Sequence, residues 1–315
     1  MQQARDVLTP DTLSMLATIG QSGSFAAAAR ALGLVPSTLT YRVRQVEETL
    51  DVLLFDRSSR QARLTEAGQE LLREGERLLQ DIDAVAHRVK RVATGWEPQF
   101  TLACDSLIAR NTVMDLCERF FALQTPTRLK ILDETLSGTW LALSSGHADL
   151  ALGGSMALEP GGSEGIQSRL LGQVPFVYAV APHHPLSAQP EPLKDAQIRR
   201  HRAVAVADSA MQGAGRSFGL LSGQEVFSVA SMEAKLEAQI RGLGVGFLPQ
   251  CLAAPYLEAG HLVAKRVERS GRVAPVTVGY AWRAGSAAQQ GRALRWWLEQ
   301  LDHPATRNAL LAQRA

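Results

Sequence analysis

Apolar residues recur at helical spacing through the first fifty residues of the chain. Leu13, Leu16 and Ile19 lie three positions apart, as on one face of a helix. Ser24 is a suitable N-cap residue, and Gly33 is suited to end a helix because glycine tolerates a positive φ angle. These features predict three helices, over residues 11–19, 25–32 and 36–50.

The second and third of these helices have the residue spacing of a helix-turn-helix. That motif needs a small residue where its helices cross, a glycine-like residue in the turn and an apolar residue in the second helix. Ala29, Gly33 and Leu39 meet these three requirements. The polar residues of the third helix would then face the base edges and phosphates of DNA. They are Ser37, Thr38, Thr40, Tyr41, Arg42 and Arg44.

Two short apolar segments follow the third helix and predict a small β-wing. They cover residues 52–57 and 62–65, and the polar turn 58–61 separates them. Arg57, Arg60 and Arg63 would lie against the DNA backbone beside the third helix. The alternative for the whole N-terminal region is a three-helix core whose polar face is only solvated.

Four segments of this region together resemble the winged helix-turn-helix of the LysR family of transcriptional regulators. They are Gly23–Ala29, Val46–Leu50, Leu54–Arg57 and Leu64–Gly68. The resemblance implies a sequence-specific regulator that binds an interrupted palindrome in double-stranded DNA and is modulated by a small-molecule effector. At the start of the recognition helix, Val35-Pro36-Ser37 replaces the Ser-Gln-Pro or Ser-Gln-Ser that is usual in the family. Base contacts of the missing glutamine therefore cannot be transferred to this chain.

A long segment without proline, residues 66–94, carries apolar residues in the spacing of a coiled coil. From Leu78 onward the steps alternate between four and three residues, and Gly75 occupies one core position where packing should be weaker. The alternative is a helix that lies on a domain core, but this apolar seam is too narrow for that. The resemblance implies dimerisation through this helix and assembly into tetramers. The expected seam residues are Leu71, Leu78, Ile82, Val85, Val89 and Val92.

Strand-like and helix-like segments alternate from residue 100 to residue 301, which predicts parallel α/β sheets. This half resembles the LysR effector domain, whose two lobes are built like a periplasmic binding protein, with crossings expected near residues 172–175 and 266–275. The predicted fold class is α/β with an all-α winged helix-turn-helix N-terminal domain, a long linker helix and a two-lobed effector domain. The predicted domains are residues 1–65, 66–96 and 97–315, with lobe I at 97–172 and 275–302 and lobe II at 173–274.

Ligands of such sheets bind beyond the carboxyl ends of the strands, so residues that follow predicted strands are the candidates for an effector site. They are Asp105, Ser106, Glu134, Thr135, Asp208, Ser209, Ser231, Met232, Phe247 and Trp282. Any one of these serines or acids could be no more than a helix cap or a surface residue. The three acids favour a ligand rich in N–H groups. Segments 232–235, 242–249 and 281–283 resemble regulators of purine and allantoin use, which indicates a nucleobase, nucleoside, ureide or amine.

Composition and motifs exclude several other classes of protein. The net charge of +2 is too small to indicate DNA binding by itself, so that function rests on the motif. No apolar run is long enough to span a membrane, and three widely spaced cysteines do not make a disulfide framework, which fits a cytoplasmic protein. The chain has no nucleophile elbow, phosphate-binding loop or zinc motif. We therefore expect no enzymatic activity, no cofactor and no metal.

Three alternatives stay open at the level of sequence. His183 and His184 with His147 could form a metal site, and Cys104 with Cys117 could form a redox switch. The third alternative is a cytoplasmic small-molecule-binding protein that uses its N-terminal region only for dimerisation. The arginines of the wing weigh against this last alternative.

Overall fold

The computed structural model describes residues 4–56, 62–158, 165–210, 219–268, 275–284 and 290–312. The chain forms two units, Met1–Val89 and Lys90–Ala315, and each is described by itself. No helix in the described ranges is both long enough and apolar enough to cross a membrane.

The N-terminal unit contains short helices, a two-stranded wing and most of a long helix. The helices are α1 (Ala4–Val7), α2 (Pro10–Ser22), α3 (Phe25–Leu32), α4 (Pro36–Leu50) and α5 (Glu66–Thr94), and the strands are β1 (Phe55–Asp56) and β2 (Arg63–Leu64). The predicted helices are present with nearly the expected bounds. The described wing strands are shorter than expected, at two residues each.

Local capping explains where α3 begins and ends. Ser24 lies in the extended region, and its hydroxyl accepts a hydrogen bond from the backbone N–H of Ala27 at 3.1 Å. Gly33 has a φ of +65° and donates its N–H to the last carbonyls of the helix. Ala28 and Ala29 are fully buried, so their small side chains let α3 lie close to its neighbours.

The first turns of α5 pack on the N-terminal unit. Gly68 passes the carbonyl of Leu54 so closely that a Cβ at this position would lie 2.1 Å from that oxygen. Leu71 packs against the N-terminal core, and a Cβ at Gly75 would lie 3.0 Å from the Leu13 side chain. The assignment of Leu71 and Gly75 to a dimer seam was therefore wrong, because both face the core of their own unit.

The rest of the predicted seam is exposed. Leu78, Ile82, Val85, Val89 and Val92 are 48–87% exposed, although all five are large apolar residues. Exposure of an apolar stripe to water is energetically unfavourable. We therefore expect this face of the helix to be the one that binds a partner.

The second unit contains both strands and helices, and it ends with two consecutive helices. Its strands are β3 (Gln99–Asp105), β4 (Arg128–Glu134), β5 (Leu150–Ser155), β6 (Ile166–Val174), β7 (Phe176–Val180), β8 (Ala203–Val206), β9 (Val226–Val229), β10 (Gly246–Pro249), β11 (Val263–Lys265) and β12 (Val276–Arg283). Its helices are α6 (Arg110–Ala122), α7 (Gly138–Ser144), α8 (Asp195–Ile198), α9 (Met232–Ile240), α10 (Gln250–Glu258), α11 (Arg292–Asp302) and α12 (Pro304–Leu311).

Lobe I is built on a five-stranded sheet with the order β4-β3-β5-β12-β6. β3 runs parallel to β4 and β5, whereas β12 is antiparallel to both β5 and β6. The chain leaves this sheet at the end of β6 and enters lobe II at β7, with only Pro175 between them.

Lobe II has sheets of both kinds. β8 and β9 are parallel, and Val245 extends this pair by a parallel bridge to Ala203. β7 pairs antiparallel with β10 on one side and with β11 on the other. The expectation of parallel sheets throughout was therefore wrong. Helix α6 connects the parallel strands β3 and β4, whereas β12, which returns to the lobe I sheet after lobe II, is antiparallel to both of its neighbours.

Candidate functional site

Helix α4 of the N-terminal unit has one buried and one exposed face. Leu39, Val43 and Val46 are buried in the core of the unit. Tyr41 is 62% exposed on the opposite face, which is unusual for an aromatic residue and suits a surface that meets a partner. The other predicted DNA contacts on this helix are also exposed, except that Thr38 is half-buried. They are Ser37, Thr40, Arg42 and Arg44.

The two arginines of α4 differ in their surroundings. The Nε of Arg44 lies 2.7 Å from a carboxylate oxygen of Glu48, one turn further along the helix. Arg42 makes no ion pair with any residue in the described ranges, so its guanidinium is available to a phosphate or a guanine edge. Gln45 donates to the Tyr41 hydroxyl at 3.2 Å, which orients that ring on the exposed face.

The wing is tied to α4 through a buried carboxylate. Oε1 of Glu47 accepts hydrogen bonds from the backbone N–H of Leu54 at 2.8 Å and of Phe55 at 3.4 Å. Glu47 is buried although it is charged, and the sequence analysis did not select it. The available signal was an acid directly beside Val46, on the edge of the apolar stripe of the helix. Arg63 is exposed on β2, whereas Arg57 and Arg60 lie outside the described residues.

A cleft of about 410 Å³ lies between the lobes of the second unit. Lobe I contributes the ends of β3 and β4 and the start of α6, and lobe II contributes the segment that leads into α9. Six of the predicted effector residues line it, namely Asp105, Ser106, Glu134, Thr135, Ser209 and Ser231. The parallel strands β3 and β4 end side by side, which brings these residues together.

Asp105 lines the cleft, but its carboxylate is buried and hydrogen-bonded within the protein. Its carboxylate accepts hydrogen bonds from the N–H groups of Leu107 at 2.9 Å and Leu136 at 3.1 Å, and from the Thr139 hydroxyl at 3.3 Å. Burial raises the pKa of this carboxyl to about 7, against the opposing effect of these hydrogen bonds. Asp105 therefore shapes the floor of the cleft more than it offers an acceptor to a ligand.

Thr135, Ser209 and Asp208 connect the lobes. The backbone N–H of Thr135 donates to Oγ of Ser209 at 2.9 Å, and the N–H of Ser209 donates to Oγ1 of Thr135 at 3.1 Å. The Ser137 hydroxyl donates to Asp208 at 2.5 Å. Asp208 is buried and does not line the cleft, so the prediction that it faces a ligand was wrong. These residues close one end of the cleft by holding the lobes together.

Three other predicted effector residues also lie elsewhere. Met232 is buried in the core of the unit, although its neighbours Ser231 and Glu233 line the cleft. Phe247 packs edge-on against Tyr178 at 5.1 Å inside lobe II, because β10 is antiparallel to β7 and lies away from the cleft.

Trp282 lies at the end of the lobe I sheet opposite the cleft. It pairs with Leu150 at the beginning of β5, because β12 runs antiparallel to β5. Its ring is buried and stacks on Tyr280, with ring centroids 5.9 Å apart. The guanidinium of Arg169 lies over the Trp282 ring, 5.3 Å from its centroid, in a cation–π contact. The prediction assumed a parallel strand, whose C-terminal end would have reached the cleft.

Sequence reasoning missed three charged residues of the cleft. Arg110, at the start of α6, and Asp133, on β4, form an ion pair of 2.8 Å on its wall. Glu233 lines the cleft from the first turn of α9. Asp133 is the direct neighbour of Glu134, and Glu233 is the direct neighbour of Met232. Both therefore lay one residue away from a position that was selected from the sequence.

The cysteine and histidine alternatives have little support in the geometry. Burial raises the pKa of the Cys104 thiol well above its usual range, which opposes formation of the reactive thiolate. Burial also lowers the pKa of His184 to about 4, and His184 packs against His201 with ring centroids 4.8 Å apart. In the described part of the chain, no three His, Cys, Asp or Glu side chains are placed to hold one metal ion.

Family models match both units. Residues 10–69 match the bacterial regulatory helix-turn-helix protein, lysR family, and residues 93–305 match the LysR substrate binding domain. The chain belongs to the LysR family. It is a LysR-type transcriptional regulator with a DNA-binding helix-turn-helix and an effector-binding domain of two lobes, as the sequence predicted. Regulators of this family bind DNA and small-molecule effectors and form oligomers.

Curated relatives of this LysR-type regulator align along most of its length. It is 38% identical to the transcriptional regulator YeeY of Escherichia coli, over 92% of each chain. It is 32% identical to the transcriptional activator AllS of Klebsiella pneumoniae, over 82% of this chain and 95% of AllS. The resemblance to the LysR family that the sequence indicated is therefore confirmed.

A solved structure of the family supports the fold of the regulator. The crystal structure of CbnR, a LysR family transcriptional regulator, has a TM-score of 0.60 and 19% identity, and the alignment covers 94% of this chain and 99% of CbnR. At this identity the likeness shows the fold alone.

Proposed function

We propose that the regulator reads its operator with the exposed face of α4 and contacts the DNA backbone with the wing. The observation that carries this proposal is the division of α4 into a buried apolar stripe and an exposed face, on which Arg42 has no ion-pair partner among the described residues. Hydroxyls, an amide and an arginine on one face suit both phosphates and base edges. Arg57, Arg60 and Arg63 would supply the backbone contacts of the wing.

The exposed stripe on α5 would be the dimer seam, from Leu78 to Val92. A two-fold dimer places two copies of α4 on two half-sites, which favours an interrupted palindromic operator. We propose the domain division 1–65, 66–96 and 97–315 with this seam in the middle segment. Assembly of dimers into tetramers is part of the same proposal.

The effector would bind in the cleft between the lobes, where Ser106, Glu134 and Ser231 offer polar groups. Binding there would alter the hydrogen bonds between Thr135 and Ser209 and so change how the lobes are held. The relatives of the chain are transcriptional regulators, and we propose that it has no enzymatic activity and needs no cofactor or metal. It would act in the cytoplasm, where its operator is.

A DNA-retention assay on the full-length chain tests this function. The regulator should retain the DNA upstream of its own gene in preference to unrelated DNA of equal length, at a stated salt concentration. An Arg42→Ala variant should retain that DNA more weakly than the parent does. A chain that forms dimers but retains no DNA would support instead a small-molecule-binding protein whose N-terminal region only dimerises.

A further inference from the structure

Most hydrogen-bond donors on the walls of the cleft are used inside the protein. The backbone N–H groups of Thr135 and Ser209 donate to each other's hydroxyl oxygens, at 2.9 and 3.1 Å. The N–H of Ser106 donates to the carbonyl of Glu134 at 3.1 Å, and the Thr135 hydroxyl donates to the carbonyl of Ala207 at 2.6 Å. The Ser209 hydroxyl donates to a carboxylate oxygen of Glu134 at 2.5 Å. A backbone N–H and a hydroxyl donate one proton each, so these groups have no donor left for a ligand.

Arg110, the basic residue among the described lining residues of the cleft, already has a carboxylate partner. Its Nη2 lies 2.8 Å from Oδ1 of Asp133, which lines the same wall from β4. The pair sets one positive charge against one negative charge. Arg110 is therefore committed to Asp133 and does not neutralise the other acids of the cleft.

Two further carboxylates line the cleft, one from each lobe. Glu134 ends β4 in lobe I, and while one of its oxygens accepts from Ser209, the other has no donor among the described residues. Glu233 lies in the first turn of α9 in lobe II, and it makes neither an ion pair nor a hydrogen bond with any side chain that the structure describes. An ionised carboxylate accepts several hydrogen bonds and donates none. The cleft therefore keeps charged acceptors in reserve where its donors are used.

Two helix starts at the cleft reduce its negative charge without cancelling it. α6 and α9 both begin at the wall of the cleft, and the start of a helix acts as about half a positive charge. Glu134 and Glu233 are in excess over the paired Arg110 and Asp133, so roughly one negative charge remains after both helices are counted. A cleft with protein walls concentrates the field of such a charge, which attracts a cation and repels an anion.

The remaining wall of the cleft is apolar and suits the body of a small molecule. The volume of about 410 Å³ lies within the range of about 300–1,000 Å³ that is usual for small-molecule sites. The apolar lining comes from the start of α6, from β4 and from the segment before α6. Its residues are Ile108, Val113, Met114 and Ile131.

We propose that the effector is an organic cation, a protonated amine or guanidine on a small apolar body, and that it binds Glu134 of lobe I and Glu233 of lobe II together. Such a cation supplies both the donors and the charge that the walls lack. A neutral amide supplies donors without the charge, and a carboxylate meets two acids and a base that is already paired. The assignment rests on the proposed effector function of the cleft.

The charge of the cleft can be measured without knowledge of the effector. Ala230→Cys places a thiol on the wall of the cleft, and Ala305→Cys places a control thiol on the exposed start of α12. Each full-length variant is treated with a cationic trimethylammonium and an anionic sulfonate methanethiosulfonate reagent, and peptide mass spectrometry follows the modified site. The ratio of the cationic to the anionic rate should be at least about tenfold higher at position 230 than at position 305.

Charge variants connect this ratio to the acids of the cleft. Glu233→Gln should lower the ratio at position 230 at least about threefold, because it removes one nearby negative charge. Glu118→Gln, at an exposed position of α6 outside the cleft, is the matched control and should leave the ratio unchanged. Equal ratios at positions 230 and 305, or equal effects of the two variants, would overturn the proposal.

Calorimetry with matched probes tests the class of effector. Phenethylamine and agmatine are cations, and 2-phenylethanol and 3-phenylpropionate are the neutral and anionic counterparts of phenethylamine. At least one cation should bind, and Glu233→Gln should weaken that binding at least about tenfold, the value of one charge-assisted hydrogen bond, whereas Glu118→Gln should not.

Three outcomes of the calorimetry would contradict the assignment. They are no binding of either cation, equal binding of a cation to the parent and to Glu233→Gln, and binding of neutral allantoin or hypoxanthine in place of the cations. Operator retention by effector-free Glu233→Gln should equal that of the parent. A chain that retains no DNA in that assay counts against the proposed function, so the two failures are distinguished.

Discussion

Thr135 in lobe I and Ser209 in lobe II form reciprocal hydrogen bonds between their backbone N–H groups and their side-chain hydroxyls. Each residue donates its N–H to the hydroxyl of the other, at 2.9 and 3.1 Å, and the Ser209 hydroxyl also lies 3.2 Å from the Thr135 carbonyl. Gly138 packs directly against this pair. A Cβ at position 138 would overlap the Ser209 hydroxyl, so the close packing requires glycine. A reciprocal pair of this kind links the two lobes at the edge of the cleft.

Ser209→Ala should weaken the connection between the lobes. It leaves the N–H of Thr135 without its acceptor and Glu134 without a donor, and we expect the free energy of unfolding to fall by about 1–2 kcal/mol. All five tryptophans lie between residues 96 and 297, so urea unfolding followed by tryptophan fluorescence reports on this unit alone. Ser144→Ala is the control, since it removes a hydroxyl bonded only within its own helix. Equal unfolding of the two variants would contradict the role of Ser209.

Lys235→Met should stabilise the effector-free protein at neutral pH. The pKa of Lys235 is lowered from 10.5 to about 8, a difference that corresponds to about 3 kcal/mol of unfavourable charge burial below pH 8. Between pH 8 and 10.5 the unfolded chain binds a proton that the folded chain does not, so the free energy of unfolding of the parent should rise with pH across this window. The variant should lack that rise.

Urea unfolding at pH 7 and pH 10 measures both effects of Lys235→Met. Lys130→Met, at an exposed position, is the matched control and should change neither value. A Lys235→Met protein that is less stable than its parent at pH 7 would show that the ammonium has a stabilising partner.

Arg42→Ala should weaken binding to the operator. We expect a loss of about 1–3 kcal/mol if the guanidinium reads a base, and a smaller loss with a shallower salt dependence if it holds a phosphate. Fluorescence anisotropy with labelled operator DNA at several salt concentrations separates these two cases. Arg241→Ala removes an exposed arginine at the C-cap of α9 that is paired with Glu237, and it should leave affinity unchanged. An Arg42→Ala affinity equal to that of this control would exclude Arg42 from the interface.

Glu47→Ala should release the wing from α4. Two buried N–H groups, those of Leu54 and Phe55, lose their common acceptor, so the N-terminal unit should be less stable by about 2–3 kcal/mol. Glu47→Gln keeps an oxygen at this position and should restore most of the loss. Urea unfolding followed by circular dichroism measures the change, and the exposed neighbour in Glu48→Ala is the control. If Glu47→Gln is as unstable as Glu47→Ala, the hydrogen bonds from Glu47 to the wing do not account for the loss of stability.

Ile82→Asp should dissociate the proposed dimer. The exposed stripe on α5 would become the buried seam, and an acid placed there meets a severe desolvation penalty. Sedimentation velocity should show a smaller species, and operator binding should weaken in parallel. Gln69→Asp is the control, because Gln69 is exposed on the opposite side of the helix. If Ile82→Asp sediments like this control, the interface lies elsewhere.

Helices α2, α3 and α4 of the N-terminal unit could be derived from the sequence alone, whereas the short α1 was not predicted. Their ends are set by residues close in the chain, such as Ser24 and Gly33, and their buried faces follow from a spacing that does not depend on the rest of the protein. The bounds of α5 could also be derived from the sequence, because no proline interrupts residues 66–94.

The composition of the cleft depended on the tertiary structure. The direction of β12 results from pairing with strands more than a hundred residues away, and it places Trp282 at the far edge of the sheet. The inward turn of Asp105 depends on the N–H groups of residues 107 and 136, which only the folded chain brings to it. The sequence by itself determined the family, the helices and the chain segments that meet at the cleft. Only packing between distant segments decided which side chains face the cleft and which charged side chains, such as Lys235, are buried.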